Sequence, residues 1–296
     1  MTVIYIILAL ILIFILASLI HYLLFKHKYI PVLMYHRVNN HTRDNRIRYT
    51  THKGSGLDID SMKVSINAFQ RQLDYLIRKN YQTITMDEYL DIINNKKKGK
   101  FVAITFDDGY EDNYLYAYPL LLEREMKATI YLVTNFINSN NSLPIDKDDD
   151  FTNNKPLTWD EVREMNKNHI TFGAHTLNHH FLTEINDIEV LVQEIVESKK
   201  KIEQELNIEV KSFAYPAGLY NEEIIRIVQE HYENAVITAN GRIVPLFNHN
   251  PYLIEREAIS RTDNLFMFKL KLWGIHRFIR KSLWYQALRR LLKWRK

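Results

Sequence analysis

A chain of 296 residues, 46% hydrophobic and 25% charged, has room for one barrel-sized domain plus an appended segment, and its composition excludes a disordered protein. With no cysteine, disulfides, thiolate metal ligands and a thiol nucleophile are all excluded, so any metal must be held by histidine and carboxylate. The formal charge of +4 conceals an asymmetry: Leu265–Lys296 carries ten Lys and Arg and no acid, which leaves 29 basic against 35 acidic residues in the rest of the chain.

Val3–Phe25 is apolar apart from Ser18 and His21, with Tyr5 and Tyr22 near its ends. A bilayer core takes about 20 such residues as a helix, so residues 1–28 are predicted to be a transmembrane helix and its flank. A cleaved signal peptide is the alternative, but no basic region precedes the apolar run and Ala17-Ser18 is a poor cleavage site. The body, residues 29–262, then begins with a short buried strand over Tyr29–His36, followed by a polar loop over His41–Asp60. Helical periodicity covers Ile66–Ile77 and Met86–Ile93, with a strand at Gln82–Thr85 between them. The run Lys96-Lys97-Lys98-Gly99-Lys100 reads as a solvated turn before an apolar strand, Lys100–Phe106.

Strand and helix continue to alternate. Tyr116–Glu125, Trp159–Asn168, Ile188–Glu205 and Asn221–Glu230 have helical patterns, and Ala128–Val133, Ile170–Gly173, Val210–Tyr215 and Ala235–Thr238 read as strands. Such repeats imply parallel strands with helices outside, because parallel pairing needs a crossover. Asn135–Asn154, rich in Asn and Asp, is predicted to be a long surface loop. In the last segment, residues 263–296, Phe268, Leu272, Trp273, Phe278, Leu283, Trp284, Leu288, Leu291 and Trp294 recur at roughly helical spacing among the cations. An amphipathic helix on an anionic membrane surface explains both features, whereas a nucleic-acid partner explains only the charge and is not expected.

The ends of successive strands hold the residues with chemical potential. TFDDGYEDN puts Asp107 and Asp108 at the carboxyl end of a strand, where parallel barrels carry their working groups, although Asp-Asp-Gly alone is commonly just a turn. GAHTLNHHFL supplies His175 and His179, four apart, with His180 adjacent. Such a pair is often structural, but with a carboxylate it can complete a facial set of three metal ligands. SFAYPAGLYNE ends a third strand in a turn whose backbone N–H groups can meet a substrate oxygen, and PVLMYHRV sets His36 at the end of the first.

TFDDG, HTLNHHFL and FAYPAGLY, in this order and spacing, resemble the NodB-type polysaccharide deacetylases, carbohydrate esterase family 4. The early MYH strand further resembles the poly-β-1,6-N-acetylglucosamine N-deacetylases, whose motif order is circularly permuted. The likeness runs from about Ile30 to Ala258, leaving the anchor and the basic tail outside. It implies an α/β fold, a distorted (β/α) barrel of about seven parallel strands. It also implies one divalent metal ion on Asp108, His175 and His179: zinc foremost, with cobalt, nickel, iron or manganese as alternatives. Asp107 would be the general base, His36 the general acid and the Ala217 N–H an oxyanion donor. From their positions, Trp159, Tyr110, Tyr215 and Tyr220 are candidates to stack on sugar rings, with barrel core as the alternative.

Two departures stand out. Ala214 occupies the place where many members have an arginine that orients the base, and His180 beside His179 leaves two candidates for one ligand, of which His179 keeps Leu182 in register with the motif. The expected reaction is hydrolysis of N-acetyl groups on N-acetylhexosamine units of a polysaccharide or glycolipid, releasing acetate. An O-deacetylase and an inactive, membrane-tethered glycan-binding protein are the alternatives. Lys26 and Lys28 favour a cytoplasmic body, whereas trimming a polysaccharide favours an external one, so the side of this single-pass cell-membrane protein stays open.

Overall fold

The structure is a computed structural model that describes residues 30–40, 59–143, 154–238 and 250–281. It also describes Tyr5, Ala9, Leu10, Leu12, Ile13, Leu16, Ala17 and Ile20, all helical and exposed. No helix among the described residues is long and apolar enough to cross a membrane; most of Val3–Phe25, like residues 41–58 and 282–296, lies outside them.

Among the described residues ten strands follow in chain order: β1 (Val32–Tyr35), β2 (Arg37–Val38), β3 (Lys63–Val64), β4 (Gln82–Ile84), β5 (Phe101–Phe106), β6 (Ala128–Leu132), β7 (Ile170–Ala174), β8 (Ser212–Ala214), β9 (Asn234–Thr238) and β10 (Ile254–Ala258). Seven close into a ring in the order β1-β10-β9-β8-β7-β6-β5 and back to β1, every pair parallel. Strand β4 pairs with β5 along Phe101–Ala103, below the point where β6 joins at Thr105 and Phe106. Strands β2 and β3 form a separate two-stranded pair. The seven-stranded parallel barrel expected from the sequence is therefore present.

Helices α1 (Ile66–Arg78), α2 (Met86–Asn94), α3 (Tyr118–Leu122), α4 (Trp159–Asn166), α5 (Ile188–Leu206), α6 (Glu222–His231), α7 (Leu265–Leu272) and α8 (Ile275–Lys281) complete the fold. Their starts are written locally. Thr85 with Glu88 and Thr158 with Glu161 form reciprocal capping boxes on α2 and α4, and Ser65, Asp187 and Asn221 cap α1, α5 and α6 by accepting from first-turn N–H groups, each worth about 1 kcal/mol. The α1 residues Phe69, Leu73 and Leu76 fall on one stripe and are buried, the face that seats a helix on a sheet.

Alternation along the strands divides the core in two. Leu33, Ile104, Phe106, Ile130 and Phe213 face the helices, in one large cluster. Val32, Ala103, Tyr131, Ala214, Val236 and Ile254 form a second cluster, closed off by Ile84 and Met86, and fill the barrel. Gly173 belongs to that filling: a Cβ there would sit 2.5 Å from the Tyr131 ring.

Three expectations are corrected. Tyr116–Glu125 is a π-helical turn over Asn113–Ala117 followed by the short α3. The Asn/Asp-rich loop is not wholly a surface loop, since Phe136, Ile137 and Leu143 are buried. The tail does not separate from the body at residue 263: Phe268 and Leu272, expected to face lipid, are buried in the main core, and α8 is bonded to the outer side of β10. There Arg280 Nη2 donates to Glu255 Oε1 at 2.5 Å, Arg277 Nε to Glu257 Oε1 at 3.3 Å, and His276 Nδ1 lies 2.8 Å from Glu257 Oε2. Phe268, Leu272 and Trp273 of the apolar stripe are thus used by the barrel, and residues 282–296 lie outside the described part.

Candidate metal centre and active site

Asp107 and Asp108 follow the last residue of β5, and His36, His175 and Ala217 lie just beyond the carboxyl ends of β1, β7 and β8. In a parallel barrel these ends share one mouth, so four separated motifs meet there.

Asp107 is 2% exposed. Both its oxygens accept from one guanidinium, Arg256 Nη1 to Oδ1 and Nη2 to Oδ2, each at 2.6 Å. Arg256 is fully buried, stands 5.4 Å from the Tyr131 ring centre, and also donates from Nη1 to Thr105 Oγ1 at 3.2 Å. Burial pushes the Asp107 carboxyl up, but the charges of Arg256, His175 and His36 outweigh it and hold it at about 2. Asp107 is therefore anionic at neutral pH with its lone pairs in a fixed direction. The missing arginine noted at Ala214 is supplied by Arg256, on a strand that sequence reasoning did not find.

Asp108, His175 and His179 bring one ligand atom each to within 4.8 Å of one another. His175 Nε2 is 3.6 Å and His179 Nε2 3.5 Å from Asp108 Oδ1. Two donors on a tetrahedral zinc, with bonds of 2.0–2.2 Å, would stand about 3.4 Å apart. The protonation also fits. His175 Nδ1 lies 2.7 Å from the carbonyl oxygen of Ala214, which can only accept, so the proton is on Nδ1 and the Nε2 lone pair faces Asp108. Burial lowers the His175 pKa to about 4, keeping the ring neutral as a ligand must be. A lone pair opposite a carboxylate oxygen is satisfied by a cation between them, and the donor set suits a divalent ion.

The loop carrying these histidines is strained and braced. Thr176 and His179 both take left-handed backbone, with φ of 69° and 60°, at a cost of about 1–3 kcal/mol each. Glu194, a buried residue on α5, offsets this: its Oε2 accepts from the N–H groups of Leu177 at 3.1 Å and Asn178 at 3.0 Å, and its Oε1 from the Asn178 side chain at 2.5 Å. His180 turns outward, 57% exposed, with Nδ1 3.2 Å from Glu194 Oε1. Of the two adjacent histidines it is therefore His179 that faces Asp108.

His36 Nε2 stands 4.0 Å from Asp107 Oδ2 with the side chain 15% exposed, and the His36 carbonyl accepts from Asn113 Nδ2 at 3.0 Å. Behind it, Asp112 accepts from Arg37 Nε and Asn39 Nδ2, each at 2.7 Å. Ala217 has a φ of 53° in the turn Pro216–Gly218, where a Cβ on Gly218 would meet Thr238 Oγ1 at 2.4 Å. The stacking expectation for Trp159, Tyr110 and Tyr215 is corrected: at 6%, 2% and 0% exposed, Trp159 and Tyr215 belong to the main core and Tyr110 to a smaller cluster, and they offer no face to a sugar. Tyr220, partly buried with its ring 5.7 Å from that of Tyr215, keeps some surface in solvent.

Comparison with known proteins agrees with this geometry. Residues 94–235 match the family model for polysaccharide deacetylases, a stretch that includes Asp107, Asp108, His175, His179 and Ala217. YxkH of Bacillus subtilis, whose name assigns it to the polysaccharide deacetylases, is 30% identical over 217 residues, 72% of this chain and 65% of that one; the chain thus spans just under two thirds of that relative's length. A Staphylococcus aureus protein named poly-β-1,6-N-acetyl-D-glucosamine N-deacetylase is 28% identical over 257 residues, 82% of this chain and 83% of its own. Among solved structures, the Streptococcus pyogenes deacetylase PplD in complex with acetate superposes with a TM-score of 0.65 at 24% identity, covering 82% of this chain and 97% of that one, a likeness of fold. On the family match and the strand-end residues within it, residues 94–235 are a polysaccharide deacetylase domain of the NodB type, carbohydrate esterase family 4.

Proposed function

We propose that this protein is a metal-dependent N-deacetylase of N-acetylhexosamine units in a polysaccharide, anchored in the cell membrane by Val3–Phe25. One observation carries the reading: an arginine-clamped, anionic Asp107 beside a three-donor set of Asp108, His175 and His179 at one barrel mouth. The name of the Staphylococcus aureus relative supports the N-acetylglucosamine class.

An amide resists attack, so its carbonyl must be polarised, its water activated and its amine protonated. When bound to Asp108, His175 and His179, a divalent cation, zinc foremost, supplies Lewis acidity toward the acetyl carbonyl and makes water more acidic. Asp107 accepts the proton of the attacking water, its oxygens aimed by Arg256. His36, next to Asp107, donates a proton to the departing sugar nitrogen. The Ala217 N–H, on the turn after β8, donates to the oxygen as negative charge develops. Acetate and a free amino sugar leave.

Membrane attachment is supported by the apolar run, free of Asp, Glu, Lys and Arg from Val3 to Phe25, and by the exposure of Leu10, Leu12, Ile13, Leu16 and Ile20 at 49–62%, a surface that water does not favour. The reaction is tested by acetate release from short β-linked N-acetylglucosamine oligomers, with metal restored after chelation. Metal-dependent release that Asp107→Asn abolishes, with the oligomers still bound, is expected. Oligomers bound by the wild-type chain without any release would sink the reading.

A further inference from the structure

Deepening that reading, and resting on its membrane anchor, we propose that the base of the barrel at the amino ends of β1, β4 and β5 lies against an anionic lipid bilayer. The catalytic mouth then points away from the membrane. The apolar run ends at Phe25 and β1 begins at Val32; Ala103 N donates to the Pro31 carbonyl at 3.0 Å, so the chain enters beside the start of β5. Around that entry point Arg78, Lys79, Lys96, Lys97, Lys98 and Lys100 are all exposed, and Lys100 Nζ reaches the Lys79 carbonyl at 3.1 Å, drawing two of these segments together. Asp91 pairs with Lys97, which leaves the sector strongly cationic. Ile77, near the end of α1, and Ile93, near the end of α2, whose first residue Met86 closes the base of the barrel, are 45% and 38% exposed in the same sector.

The base below β8 and β9 differs. Before β8 and β9, Lys211 Nζ is 3.6 Å from Glu209 Oε2 and 2.8 Å from Glu233 Oε1, so that side carries no excess of cations. Positive charge is thus concentrated where the apolar segment joins. The other end of the described chain leaves there too: α8 is held to Glu255, at the amino end of β10 beside β1, and residues 282–296 add five Lys and Arg and no acid. Cations within a Debye length, about 8–10 Å, of an anionic surface are attracted to it. Asp107 stands one β5 strand higher, about 20 Å at roughly 3.3 Å per residue. This geometry selects sugar units of a polymer standing off the bilayer over a sugar attached directly to a lipid.

Because the chain has no cysteine, single labels can be placed on the full-length protein. Lys98→Cys at the base and Asn140→Cys on the loop beyond β6, both exposed, would each carry a fluorophore in vesicles containing phosphatidylglycerol and a headgroup-attached quencher. The expected result is several-fold stronger quenching at residue 98 than at residue 140, with the difference shrinking in purely zwitterionic vesicles. Equal quenching, or stronger quenching at residue 140, in protein that floats with the vesicles overturns the orientation while leaving the anchor intact. A full chain that does not float with vesicles overturns both.

Discussion

Replacing Arg256 by methionine removes the guanidinium bonded to both oxygens of Asp107 and leaves a buried carboxylate facing the barrel interior. In the native site the carboxyl is held at about 2 against an ordinary 3.8, a preference for the charged form on the order of 2 kcal/mol. Because the folded value lies below the unfolded one, this stabilisation is present above pH 3.8 and lost as pH falls through about 2. Without Arg256, burial acts with less opposition and raises the carboxyl, so Asp107 stays protonated to higher pH and the sign reverses. Breaking one side of a buried pair costs about 3–5 kcal/mol of stability. Loss of an oriented base costs about 10²–10⁴-fold in rate. Acetate release measured from about pH 5 to 9, with thermal denaturation alongside, should show Arg256→Met reduced by about 10²-fold near neutrality. Its acid limb should move up, so that part of the deficit is recovered at higher pH. Arg256→Lys, which keeps charge without the two-pronged fit, should fall between. A folded Arg256→Met enzyme with the wild-type acid limb would refute the claim that Arg256 sets the state of Asp107.

Neighbouring histidines give a sharper test of the metal set: His179→Ala should abolish stoichiometric metal retention after dialysis, whereas His180→Ala should retain it, and the reverse order would move the ligand to His180. Glu194→Gln weakens the brace on the Leu177 and Asn178 N–H groups and should lower metal affinity by about 10–100-fold without removing a ligand; titration calorimetry showing wild-type affinity would make Glu194 merely structural. For the metal-free protein, His175 titrates near 4 in the fold against an ordinary 6.5, so the unfolded chain binds the extra proton between these values. Stability should therefore rise with pH across that window by up to about 3 kcal/mol, and a His175→Asn variant should lose that component in pH-resolved denaturant melts.

Most elements were legible in the amino-acid order because they depend on near neighbours. The stripe of Phe69, Leu73 and Leu76, the apolar run of β5, and the Thr85–Glu88 and Thr158–Glu161 boxes all act within a few residues, and alternation of the two periods forces a parallel barrel. The strand-end residues Asp107, Asp108, His175 and His36 were legible because parallel topology carries strand ends to one mouth, while the grouping of His179 with Asp108 and His175 was implied by the family resemblance.

What escaped depends on partners far away in the chain. β10 reads Ile-Glu-Arg-Glu-Ala, three charges in five residues, and becomes a buried strand only because Arg256 finds Asp107 on one face while Glu255 and Glu257 find Arg280, Arg277 and His276 on the other. The choice between His179 and His180 rests on a left-handed φ and on Glu194. Trp159 and Tyr215 could be assigned to core rather than substrate only once their neighbours were in place, and Phe268 and Leu272 to barrel rather than lipid only once α7 had docked. Local periodicity and capping determined where strands and helices form, since those energies act over a few residues; the burial of charge, whose cost is offset only by an opposite charge brought from across the fold, was decided by the tertiary structure.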